Sequence, residues 1–192
     1  MTAVILYGAS SGALHAVTGP DHLLSLGPVA LQNPRGSFRI GLGWGVGHAL
    51  GTALLAVPLL VLSELVQLPA LAAWGERAAG LALLSAAGFS FWSARRSEPG
   101  ASVDVRKPLL VGLIHGATGA GSLLLLLPVL TTGSHAHTAV FLTAFSLGSA
   151  LAMALLTAAI AKLGGRLQPR TLARFQACSL LAACALGVYW LV

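Results

Sequence analysis

Residues 12–29 read GALHAVTGPDHLLSLGPV, and residues 112–129 read GLIHGATGAGSLLLLLPV. The two stretches align without a gap. Gly12, His15, Thr18, Gly19, Pro28 and Val29 recur as Gly112, His115, Thr118, Gly119, Pro128 and Val129, and Leu23, Leu24 and Leu26 recur as Leu123, Leu124 and Leu126. Low complexity matches leucines easily, but not Gly, His, Thr and Pro in one register. The match runs weakly into the next apolar run, where Gly47-His48-Ala49-Leu50 corresponds to Gly148-Ser149-Ala150-Leu151. The copies part at Pro20-Asp21-His22 against Ala120-Gly121-Ser122, and at His48 against Ser149. The first copy carries polar chemistry; the second reads as its scaffold.

The rest of the chain says where such a repeat would sit. Of 192 residues, 56% are hydrophobic and 8% charged, with a mean hydropathy of +0.86. Soluble domains carry about 25% charged residues, so a water-facing surface is hard to build here and lipid is the expected solvent. Apolar runs at about 2–31, 38–62, 76–94, 108–131, 138–162 and 172–192 each reach the ~20 residues of a spanning helix. The sequence therefore predicts an all-α integral membrane protein of six transmembrane helices. It forms one transmembrane domain over 1–192, with repeat 1 at about 1–95 and repeat 2 at about 106–192. Three spans per copy is an odd number, which makes the arrangement a 3+3 inverted repeat, a layout that places sites at interrupted helices near the midplane. Gly19-Pro20 and Gly119-Ala120-Gly121 mark the first and fourth spans as interrupted.

Charge sets the expected topology. Arg35, Arg39, Arg95, Arg96, Arg106, Lys107, Lys162, Arg166, Arg170 and Arg174 fall in the first, third and fifth connections, leaving Arg77 opposite. The positive-inside rule puts those connections in the cytoplasm and both termini outside, in a multi-pass protein of the inner (cytoplasmic) membrane. The first residues lack the basic start of a secretory signal and read as mature structure. The net charge of +6 comes without an aromatic-interleaved basic stripe, so nucleic acid is not an expected partner; the lipid bilayer is. Cys178 and Cys184 stand at i and i+6 of one run, too far apart to bridge, which counts against a disulfide-exchange electron carrier.

Asp21 is the most informative residue, since a carboxylate inside a span costs at least ~2.5 kcal/mol and usually faces an ion or proton path. His15, His22 and His48 supply nitrogen donors around it. Imidazoles with one carboxylate suit nickel, cobalt or zinc, whereas calcium and magnesium want more oxygens. On an unbroken helix His15 and His22 would stand about 10 Å apart along the axis. Unwinding at Gly19-Pro20 lets Asp21 and His22 fold back. Asp21 has a second reading, as a cap for the helix that resumes beside it. His115 reads either as a packing residue or as a further ligand, His135 and His137 as a polar loop, the tryptophans as interfacial anchors, and the glycines around His48 as points of close helix approach.

These residues resemble the nickel/cobalt transporter family, including its shorter branch of urease-accessory and high-affinity nickel permeases. That family carries a His-x4-Asp-His stretch followed in the next span by Gly-His. His15 through His22 resembles the first motif, with five residues instead of four before Asp21, and Gly47-His48 resembles the second. His115-Gly116 resembles a feature of the shorter branch. The resemblance implies membrane transport of Ni2+ or Co2+ as substrate, with no permanently bound cofactor, through His15, Asp21, His22, His48 and His115. The alternative is an exporter of a small anion or amino acid on a similar inverted-repeat frame. No enzyme is expected, because no catalytic constellation stands out beyond the same His and Asp.

Overall fold

A computed structural model describes residues 1–61, 77, 80, 81, 84, 85, 87, 88, 104–118, 134–166, 168–189 and 191. The described elements are helical: α1 (Thr2–Thr18), α2 (Pro20–Gln32), a 3-10 turn (Pro34–Gly36), α3 (Ser37–Val61), α4 (Arg106–Thr118), α5 (His135–Gly164) and α6 (Pro169–Tyr189). Most of the third apolar run, residues 119–131 of the fourth, and with them Gly119-Ala120-Gly121, Trp92 and Trp190, lie outside the described residues.

Local chemistry explains the boundaries. Gly19 is extended (φ −67°, ψ 109°) and ends α1, its N–H donating to the His15 carbonyl; Pro20 then opens α2. Proline suits the first position of a helix, where its missing N–H has no partner to lose. Asp104 Oδ1 accepts from the Arg106 N–H at 3.0 Å at the start of α4. Ser134 accepts from the His137 N–H at the start of α5.

Among the described residues, only α5, with 30 residues, is long and apolar enough to cross a membrane. The expectation of six spans in a 3+3 inverted repeat is therefore not upheld, nor is the multi-pass topology drawn from it. An apolar run measures composition, not continuity. The run 2–31 is two helices of 17 and 13 residues, each short of the ~20 a span requires.

Small residues hold the helices together. α1 packs against α5, and α3 packs against both α4 and α5. A Cβ on Gly12 would overlap the Phe145 carbonyl, one on Gly112 the Trp44 carbonyl, and one on Gly116 the His48 carbonyl. Glycine is required where backbones approach this closely. Around these contacts Ala16, Leu26, Trp44 and Met153 form one buried cluster, and Ala56, Phe141 and Phe145 another. The first cluster fixes the junction of α1 and α2 against α3 and α5.

Candidate metal centre

Four helices converge at that junction. α1 brings His15 in its last turn, α2 brings Asp21 and His22 in its first, and α3 and α4 bring His48 and His115. The break at Gly19 makes this possible. A Cβ at Gly19 would collide with Nδ1 of His22 and lie 2.8 Å from Oδ1 of Asp21, so the missing side chain is the space into which His22 turns back. Its ring then lies 4.7 Å from that of His15, against the roughly 10 Å of axial separation on a continuous helix.

The four imidazoles form a cluster with His22 as its hub. The His22 ring lies 5.1 Å from His48 and 5.2 Å from His115, edge-on to both, and His15 stacks on His48 at 5.6 Å. Asp21 Oδ2 meets His115 Nε2 at 2.7 Å, and Asp21 Oδ1 faces His22 Nδ1 at 3.6 Å. His22 is 0%, His48 1% and His115 3% exposed. Among the described residues, both ring nitrogens of His22 and of His48 are buried without a hydrogen-bond partner. Such groups cost about 1–3 kcal/mol each when left unsatisfied, and native structures rarely leave them so.

Two sets of donors each lie within 4.8 Å of one another: His15, His22 and His48, and Asp21, His22 and His115. Ligands sit ~2.0–2.2 Å from a zinc-sized ion, so each set needs only small side-chain rotations to close on a cation. The structure thus brings together all five residues singled out from the sequence. Asp21 provides no side-chain cap for α2, whose N-cap is Gly19. Its charge still sits in the first turn, where the helix dipole favours it. His135 and His137 open α5 and belong to neither set.

One neighbour was missed at the sequence level. Trp44, read as an interfacial anchor, is instead buried at the centre, because it stands one turn before His48 on the face of α3 that packs inward. Its ring stacks on His48 (5.4 Å, 7° between planes), lies 5.1 Å from His115, and meets His22 edge-on at 5.3 Å. The i, i+4 spacing of Trp44 and His48 was the available signal.

Over 94% of its length the chain is 27% identical to "Chloroplast protein FOR GROWTH AND FERTILITY 2" of Arabidopsis thaliana. Over the same share it is 28% identical to "Chloroplast protein FOR GROWTH AND FERTILITY 1" of the same plant. It covers 54% and 56% of those proteins, so it spans about half the length of the curated relatives it matches. No family model matches the chain, and no solved structure does. The resemblance to the nickel/cobalt transporter family is accordingly not upheld, and the transporter classification built on it goes with it. A motif of about a dozen residues reports local donor chemistry rather than descent. The inner-membrane, multi-pass placement is corrected as well, since both relatives are chloroplast proteins by name.

Proposed function

We propose that this chain binds a divalent transition-metal cation, Ni2+ or Co2+, at the centre of His15, Asp21, His22, His48 and His115, and that it passes the ion on as cargo. The observation that carries this reading is the pair of buried imidazoles, His22 and His48, whose four nitrogens have no hydrogen-bond partner among the described residues and which face further donors. A cation accepting the one lone pair of each ring removes part of the cost of that burial. Nitrogen donors with one carboxylate favour borderline dications over calcium or magnesium. Asp21 supplies the only negative charge of the five, so a bound dication stays incompletely neutralised, as suits an ion that must leave.

Support for a membrane setting comes from α5, which exposes Leu147, Leu151 and Leu155 at i, i+4 and i+8 on one stripe. The relatives' chloroplast names support an organellar kind of membrane. Nothing in the centre favours the alternative of a small anion, which the Asp21 carboxylate would repel.

The test is calorimetric titration of the purified full chain with Ni2+ and Co2+, beside ion flux into liposomes carrying it. We expect saturable binding and flux, both lost in His22→Ala. Binding of equal affinity in His22→Ala, or none in the unaltered chain, would overturn the proposal.

A further inference from the structure

We infer that the centre is two overlapping metal stations that share His22, between which a single cation steps. This rests on the metal-binding reading above and deepens it. The donors do not fall into one set of five. They form two tripods, His15–His22–His48 and Asp21–His22–His115, with His22 the common member.

The orientation of His22 assigns one ring nitrogen to each. Nδ1 faces Asp21 Oδ1 at 3.6 Å and so belongs with Asp21 and His115. The other set, His15 and His48, whose own rings stack at 5.6 Å, is then left Nε2, the nitrogen across the ring. A neutral imidazole has one lone-pair nitrogen and one N–H. His22 therefore ligates in one station at a time, and its ring proton occupies the nitrogen facing the other. For the ion to change stations, one His22 ring nitrogen must release its proton to water while the nitrogen that the ion vacates takes one up from water, so the step is coupled to proton exchange with solvent and the centre holds one ion, not two. The stations differ in kind: one offers three neutral imidazoles, the other two imidazoles and a carboxylate. The second is harder and carries the charge, which gives the step a direction for a given ion.

Both tripods leave coordination positions open, as sites with exchangeable ligands do. Trp44 stacks on His48, a donor of the first station, and borders His22 and His115 of the second, so one apolar wall closes both.

The experiment is Co2+ titration of the full chain, by calorimetry and by the visible absorption of the bound ion. The variants are His48→Ala, which removes the first station, Asp21→Asn, which removes the second, the double variant, and His22→Ala. Parallel stations add their association constants. We expect one ion per chain, at least one single variant within about threefold of the original Kd, and different Co2+ spectra in the two single variants. The double variant and His22→Ala should each lose more than about 100-fold, beyond the cost of disturbing a second-shell partner. A single shared site predicts otherwise: each single variant, having lost a ligand, loses at least about tenfold. That result, or identical spectra in the single variants, overturns the two stations while leaving metal binding intact. Absence of binding in the unaltered chain overturns both. Retained far-UV circular dichroism, with His48→Gln in place of any variant that misfolds, keeps loss of fold apart from loss of ligand.

Discussion

The pair formed by α1 and α5 and the pair formed by α4 and α3 meet through matched contacts. In the first, a Cβ on Gly12 would overlap the Phe145 carbonyl and one on Gly148 the Ala9 carbonyl; in the second, one on Gly112 would overlap the Trp44 carbonyl and one on Gly47 the Leu109 carbonyl. His15 tilts against Phe145 at 5.6 Å, and His115 tilts against Trp44 at 5.1 Å. The pairs then diverge. Where α3 presents His48, α5 presents Ser149, also buried. The backbone approach is used twice and the chemistry once, so close packing and ligand supply are separable demands on the sequence. The first pair contributes one imidazole, the second contributes two, and the break at Gly19 adds Asp21 and His22 from outside both.

The harshest way to break this arrangement is to remove what joins the pairs. His22 touches His15 of one and His48 and His115 of the other, while taking no part in the glycine contacts between the helices. His22→Ala should therefore lower Ni2+ affinity by more than about 100-fold while the thermal midpoint in the absence of metal stays within a few degrees. A comparable fall in the midpoint would show that His22 is a packing residue and that the pairs depend on it.

The matched glycines sharpen the comparison from the other side. Gly12→Ala and Gly112→Ala each insert a methyl where a carbonyl already stands. Overpacking of this kind costs about 1–3 kcal/mol, and the two losses should agree within ~0.5 kcal/mol in urea titrations. A large loss at one position and none at the other would mean that the two helix pairs are not held alike.

These glycines also show what the sequence could disclose. The register of residues 12–29 against 112–129 pointed to Gly12 and Gly112, and the unexpected polarity of Asp21 pointed to the centre. All five proposed donors were legible, because a buried carboxylate and imidazoles are costly enough to need a reason. The span count was not, since the composition of a run such as 2–31 does not say whether one helix crosses its whole length, even where Gly19 and Pro20 announce the break. Trp44 was not legible either. An aromatic residue at a helix end and one packed on a ligand look alike until the partner helix is placed. The division of the donors into two sets depends on distances across four helices, which no spacing along the chain encodes.

The smallest effect concerns a cross-helix hydrogen bond between α3 and α4. Thr52 Oγ1 donates to the Gly116 carbonyl at 3.4 Å. The bond is long, so its contribution belongs at the low end of the usual range. Thr52→Val keeps the shape and removes the donor, and should cost about 0.5–1 kcal/mol. Thr143→Val is the control: that hydroxyl is exposed and donates within α5 to the Ala139 carbonyl, so its loss should fall within about 0.5 kcal/mol of zero. Equal midpoints for the two variants would mean that Thr52 adds nothing to the glycine contacts, and that His48 and His115 keep their places without its hydroxyl. A measurable gap, with Ni2+ affinity reduced in Thr52→Val and unchanged in Thr143→Val, would instead make the hydroxyl part of what positions His115, which lies next to Gly116 in the chain.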